Sequence, residues 1–287
     1  MKNSLEENEI EYIEENTHNN ADFSAKKSLG QNFLHAPNVI SAMVKVSDID
    51  QNSIVLEVGP GKGALTSKIL ETGAYVIAVE KDDRAIPFLK EKFNEQINTG
   101  KLELIHGDIL KFDENIAVQG IKFKNYVLIA NIPYYITGEF MRKFLESENP
   151  PLRMVAMVQK EVAKRIVDTK ESILSISVKV YGNPKYICTV DRKFFRPIPN
   201  VDSAVILIEN ISKKYFMDNK IDEKYFFEVL KAGFSHKRKF VIRNLEKKIP
   251  KNTLEMLWKK ENLSIDLRAE NITLEMWKKI VGFTCIS

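Results

Sequence analysis

The sequence predicts an α/β fold: a mostly parallel sheet with an antiparallel edge strand, followed by a smaller all-α C-terminal domain. Three observations carry that expectation. Short apolar runs alternate with amphipathic helical stretches from residue 53 to 159, the pattern of successive β-α units. Two later strand candidates are joined by a connection too short for a crossover helix, so they should pair antiparallel. Beyond about residue 213 the strand pattern stops and the periodicity is helical throughout.

In chain order, strands are expected at 53–58, 75–80, 102–107, 126–131 and 154–159, with helices near 64–72, 82–93 and 137–146. A helix at 161–167 and a Ser-rich apolar stretch at 173–180 follow. Strands at 185–190 and 203–209 close the sheet at its edge. Residues 223–233, 238–248, 253–260 and 274–282 read as helices, separated by Pro250, Asn262 and Asn271. The chain thus divides into a tail at 1–22, an α/β domain at 23–212 and a helical domain at 213–287. The tail is rich in Glu and Asn and reads as disordered.

Composition narrows the function classes. With 44% hydrophobic and 29% charged residues, this is an ordinary globular chain. No run approaches the ~20 apolar residues of a membrane span, and the acidic N-terminus resembles neither a signal nor a transit peptide. A cytoplasmic protein without a membrane partner is expected. Cys188 and Cys285 offer neither a disulfide framework nor a metal cluster, and no metal is expected. The net charge is only +4, but acidic residues crowd the tail. Basic runs stand at Lys26-Lys27, His236-Lys237-Arg238-Lys239 and Lys247-Lys248, so the body is more basic than the total suggests. Such runs serve as solvated helix faces or as nucleic-acid contacts.

A strand ending in a glycine turn is spelled by Leu56-Glu57-Val58-Gly59-Pro60-Gly61-Lys62-Gly63. Glycines let the backbone approach a ligand, and the following helix start offers free N–H groups. Glu80 ends the next strand, where a carboxylate can accept both ribose hydroxyls. Gly59, Gly61 and Ala64 also satisfy the loose dinucleotide pattern, which leaves a nicotinamide enzyme open. Glu57 beside the loop would repel a pyrophosphate but could help hold a cationic amino-acid group; it could equally cap the neighbouring helix. Gly107-Asp108 adds an acceptor suited to an adenine amine. S-adenosylmethionine, with an ammonium, a sulfonium and no phosphate, fits this set better than a dinucleotide.

The tetrapeptide Asn131-Ile132-Pro133-Tyr134 follows the apolar run 126–130, at the strand edge where open α/β sheets bind ligands. The Asn131 carboxamide oxygen and the Ile132 carbonyl can accept both hydrogens of one NH2 group. Pro133 stiffens the turn, and the Tyr134 ring can stack on the base that carries the amine. Alone, the tetrapeptide could be a strand-end turn. None of His18, His35, His106 or His236 sits in a motif that demands a general base.

Together these segments resemble the KsgA/RsmA family of ribosomal RNA adenine dimethyltransferases, from about Phe23 to the C-terminus. The resemblance runs through Lys26-Lys27-Ser28-Leu29-Gly30-Gln31-Asn32-Phe33-Leu34, the loop at 57–63, Glu80, Gly107-Asp108 and the 131–134 tetrapeptide. It continues through Val158-Gln159-Lys160-Glu161-Val162-Ala163, the segment 195–205 beginning Phe195-Arg196-Pro197-Ile198-Pro199, the segment 232–239 and Asn244-Leu245. It implies a Rossmann-like class I methyltransferase sheet using S-adenosylmethionine. Asn32 and Leu34 would fold over the cofactor, with Glu57, Gly59, Gly61, Glu80, Asp108, Ile109 and Asn131 around it. Phe195 would be the second aromatic face on a flipped adenine, opposite Tyr134. Lys26, Lys27, Lys237, Arg238 and Lys239 would contact RNA. The implied substrate is small-subunit ribosomal RNA in a pre-30S particle, modified at two adjacent adenosines near its 3′ end by a monomeric enzyme. The rivals are a large-subunit adenine dimethyltransferase of the macrolide-resistance type and a non-catalytic assembly factor. Thr137-Gly138-Glu139 and Glu171-Ser172-Ile173 depart from the family pattern.

Overall fold

The computed structural model describes residues 24–26, 29–113 and 125–286; the expected tail at 1–22, and Lys27, lie outside them. Five parallel strands form the body of a seven-stranded sheet. They are β2 (Ile54–Val58), β3 (Tyr75–Glu80), β4 (Leu102–His106), β5 (Tyr126–Asn131) and β6 (Arg153–Gln159). The order across the sheet is β4-β3-β2-β5-β6, followed by the strand at 203–209 and then, at the edge, the strand at 183–190. β7 (Asn183–Val190) and β9 (Ser203–Glu209) pair antiparallel, as their short connection requires. The strand that runs against the rest is β9, second from the edge, and β7 lies outside it. A separate two-stranded ribbon joins β1 (Phe33–Leu34) to β8 (Phe195–Arg196).

The central strands are apolar because both their faces are buried. Alternation sorts them: Leu56, Val58, Ile77, Val79, Leu128 and Ala130 enter one apolar layer. Val55, Val76, Ala78, Val127 and Ile129 enter the other. Helices α2 (Ala64–Leu70), α3 (Ala85–Lys92), α4 (Asn94–Asn98), α5 (Thr137–Leu145), α6 (Lys160–Val167) and α7 (Ile173–Lys179) connect the strands.

Several helices depart from expectation, and neither α4 nor the helix at residues 214–219 was foreseen. Helix α1 (Pro37–Ser47) has no counterpart in the sequence reading, although Pro37 at its first position is a start signal. Its Met43 and Val44 pack into the second layer. Helix α3 starts at Ala85 rather than 82, because the Asp82 carboxylate accepts from the Arg84 N–H and guanidinium and holds a turn there. The expected helix at 238–248 shrinks to α10 (Val241–Leu245), and residues 235–240 form an exposed loop.

After β9 come α8 (Lys214–Asn219), α9 (Glu223–Gly233), α10, α11 (Lys251–Lys260) and α12 (Leu274–Ile286). They pack on the first layer through Tyr181, Phe216, Phe226 and Phe227, whose rings lie in mutual contact. Tyr181 donates its hydroxyl to Glu223, and Lys213 pairs with Glu148 at 2.8 Å. Trp277, fully buried, lies so close to Gly233 that a Cβ there would stand 2.2 Å from its ring. No helix among the described residues is long and apolar enough to cross a membrane.

Candidate active site

The parallel register brings the C-terminal ends of β2, β3 and β5 to one edge, and the loops that leave them converge. There they enclose a cavity of about 290 Å³. Its floor is the glycine turn after β2. Gly59, Gly61 and Gly63 have φ of +69°, +56° and +75°, a backbone that side chains rarely adopt. A Cβ on Gly59 would meet nothing nearer than the Asn131 carbonyl oxygen at 3.9 Å, so that position opens on the cavity.

Glu80 lines the cavity while only 5% exposed. Its oxygens accept from the Gly61 N–H at 2.9 Å and the Asp82 N–H at 2.8 Å, and burial raises its pKa against those bonds. Two fixed N–H groups orient this carboxylate and leave lone pairs for hydroxyl donors. Asp108, after β4, accepts from the Leu110 N–H at 3.0 Å and pairs with Lys81 at 2.7 Å, which lowers its pKa. Buried Ile109 adds an apolar wall beside it. Carboxylates set for hydroxyl and amine donors, an apolar wall and an open glycine cradle fit the ribose and adenine of a nucleoside cofactor.

Glu57 is placed differently from expectation. Its register partners are Ala78 and Ile129, both members of the second apolar layer, so strand alternation turns its side chain there. It is fully buried, does not line the cavity, and sits beside Thr66 in the first turn of α2. Neither the carboxyl nor the Thr66 hydroxyl completes a hydrogen bond among the described residues. Burial pushes the Glu57 pKa up to about 8.

Asn131 closes β5 and faces the cavity. Its Nδ2 donates to the Asn32 carbonyl at 3.4 Å, a long bond that assigns the amide orientation and leaves Oδ1 as the uncommitted atom. The Ile132 N–H donates to the Met157 carbonyl at 3.2 Å and so locks the following turn. Pro133 (φ −56°) leads into a single 3₁₀ turn that begins at Tyr134. The Tyr134 hydroxyl meets Ser203 Oγ at 2.8 Å, which anchors its ring across to β9; burial raises its pKa. Phe195, 1% exposed, lines the same cavity from β8.

A strap from Leu29 to His35 roofs the site. Asn32 and Leu34 both line the cavity, and β1 pairs Leu34 with Phe195. Gln31, not singled out in the sequence, ties the strap down: it donates to Asp82 at 2.7 Å and accepts from the Lys26 N–H at 2.8 Å. Ser203 and Phe33 were missed likewise, although both stand inside segments already recognised. Phe33 covers Gly61, where a Cβ would press 3.0 Å from its ring. Lys26 is exposed beside the strap, whereas Lys237, Arg238 and Lys239 stand on the exposed 235–240 loop and line no part of the cavity.

Known proteins agree with this geometry. Residues 22–284 match the family described as Ribosomal RNA adenine dimethylase. A Dehalococcoides mccartyi protein named Ribosomal RNA small subunit methyltransferase A is 41% identical over 261 residues, covering 89% of this chain and 87% of its own length. A Mycoplasma capricolum protein of the same name is 36% identical, covering 92% of this chain and 98% of its own. Among solved structures, a dimethyladenosine transferase from Plasmodium falciparum superposes with a TM-score of 0.71 at 26% identity, covering 86% of this chain and 95% of that one. The 23S rRNA methyltransferase ErmE shares the fold with a TM-score of 0.69 at 21% identity, over 88% of this chain and all of ErmE. The dinucleotide alternative falls away, and the chain belongs to the ribosomal RNA adenine dimethylase family.

Proposed function

We propose that this chain transfers methyl groups from S-adenosylmethionine to N6 of two adjacent adenosines near the 3′ end of small-subunit ribosomal RNA, giving N6,N6-dimethyladenosine. One observation carries the reading. Asn131 commits its Nδ2 to the roofing strap, which leaves its oxygen uncommitted in a cavity that Ile132, Tyr134 and Phe195 also line.

When bound, S-adenosylmethionine supplies a methyl group activated on a sulfonium. The glycine loop and Glu80 would hold its amino-acid and ribose parts, Asp108 and Ile109 its adenine, with Asn32 and Leu34 above. The target N6 is a weak nucleophile, since its lone pair is delocalised into the ring. Asn131 Oδ1 and the Ile132 carbonyl accept its two hydrogens and draw the nitrogen toward tetrahedral geometry. Both oxygens also stabilise the positive charge that grows on nitrogen in the transition state. The proton then released passes to water, so no side-chain base takes part. Tyr134, anchored on Ser203, and Phe195 offer ring faces that offset the few kcal/mol of unstacking a base.

The names of relatives at 36% to 41% identity favour the small subunit over the large. We read the substrate as RNA within a pre-30S particle, the enzyme as a cytoplasmic monomer, and the segment after residue 213 as a domain that meets RNA. Incubation with labelled cofactor and unmethylated small subunits, beside free RNA and large subunits, tests the reading. Label confined to small-subunit adenosines supports it; label on large subunits refutes it.

A further inference from the structure

Asp108, the acceptor suited to an adenine amine, does not stand alone. Three lysines line the cavity, Lys62, Lys81 and Lys92. Lys92 donates to the Lys62 carbonyl at 2.9 Å, and the Lys62 ammonium lies over the Phe33 ring at 5.3 Å. Lys81 turns to a carboxylate instead, with Nζ 2.7 Å from Asp108 Oδ2. A cofactor bearing an ammonium and a sulfonium gains nothing directly from a further cation in its cavity. The use of Lys81 therefore lies in what it does to Asp108.

The sheet builds this pair. β3 and β4 run parallel with Glu80 opposite His106, and the Gly107 N–H donates to the Glu80 carbonyl at 2.8 Å. The residue after Glu80 thus stands across from the residue after Gly107. The second oxygen, Asp108 Oδ1, is held separately by the Leu110 N–H at 3.0 Å. One donor on each oxygen fixes both torsions of the side chain. An ionised carboxylate has about four lone-pair positions, so about two stay open for a ligand. The Lys81 hydrogen bond also lowers the Asp108 pKa, which keeps the group an acceptor.

We propose that Lys81 is a positioning residue for the adenine end of the cofactor: it fixes Asp108 so that an open lone pair faces the N6 amine, and so sharpens selection for a purine that carries that amine. Two effects of the lysine oppose each other. It neutralises part of the carboxylate charge that attracts the amine, but it also removes rotation that binding would otherwise have to freeze. The Lys81 and Asp108 side chains are 52% and 24% exposed, so water screens the first effect. The second is retained, because ordering a free side chain costs affinity whatever the dielectric. The inference rests on the assignment of Asp108 to the adenine amine and adds the residue that aims it.

Calorimetric titration of the full chain with S-adenosylhomocysteine, and with its analogue carrying hydrogen in place of the N6 amine, tests the role. The two ligands have the same net charge, so loss of a cation acts alike on both through the long-range field. Only a local effect on the amine changes their ratio. Wild type should favour the amine-bearing ligand by about tenfold or more, the worth of a hydrogen bond to a charged group. Lys81→Met keeps the aliphatic stem and should lower that ratio by about two- to fivefold, through weaker binding of the amine-bearing ligand. An unchanged ratio, including equal losses on both ligands, is the pattern of a merely structural or field effect and overturns the proposal. A raised ratio, the pattern of a lysine that competes with the amine for Asp108, overturns it as well. Asp108→Ala separates the two assignments. If it leaves the wild-type ratio intact, Asp108 does not hold the amine; if it abolishes the ratio while Lys81→Met leaves it unmoved, only the role of Lys81 fails. Thermal midpoints without ligand check that each variant is folded.

Discussion

Asn131→Ala removes one of two acceptors aimed at the nitrogen that becomes positive, and the structure sets how large the loss should be. Among the described residues, the one other polar bond of its side chain, to the Asn32 carbonyl, is 3.4 Å long. Such a bond is worth no more than about 0.5–1 kcal/mol, so cofactor affinity should fall by about two- to fivefold. An acceptor that strengthens in the transition state is worth more. Loss of one comparable group costs about 2.7–4 kcal/mol, or about a hundred- to a thousandfold in kcat. Single-turnover methylation of small subunits at saturating cofactor measures the chemical loss, and titration calorimetry measures cofactor affinity. A rate within about threefold of wild type, or one restored by raising cofactor concentration, would refute the paired-acceptor mechanism.

The other predictions concern stability. Burial raises the Glu57 pKa from 4.5 to about 8, so between those values the folded chain binds the extra proton and stability falls as pH rises. Urea midpoints across that window should decline for wild type, and Glu57→Gln should flatten the decline. Tyr134→Phe leaves the buried Ser203 hydroxyl without its partner and should cost about 1–2 kcal/mol, whereas the double change with Ser203→Ala should cost less than the sum; additive losses in denaturant titrations would show that the two hydroxyls do not interact. Gly233→Ala drives a Cβ to within 2.2 Å of Trp277 and should cost about 1–3 kcal/mol or more, read as a lower thermal midpoint.

What the sequence revealed follows from which forces act locally. The five parallel strands were legible because both faces are buried, and so were the strand ends that meet at the cavity, since a parallel sheet sends its C-terminal ends to one edge. Side-chain direction was less legible. Glu57 lies next to the glycine turn in sequence, yet alternation carries it into the second apolar layer, and only the register with Ala78 and Ile129 reveals that. The strap was recognised as a segment, but its hold on Asp82 through Gln31 joins residues 51 apart and left no local trace. Helix α10 was overextended for a related reason. Residues 238–240 suit a helix, but the buried Asn244 amide claims the Gly233 and His236 carbonyls and ends α9 in a loop.

The most direct test is a crystal structure of the chain with a non-reactive cofactor analogue and an adenosine-containing RNA fragment. N6 is expected within hydrogen-bonding distance of both Asn131 Oδ1 and the Ile132 carbonyl, with the base between Tyr134 and Phe195. An adenine held by other atoms, or Asn131 turned so that Nδ2 faces the amine, would contradict it.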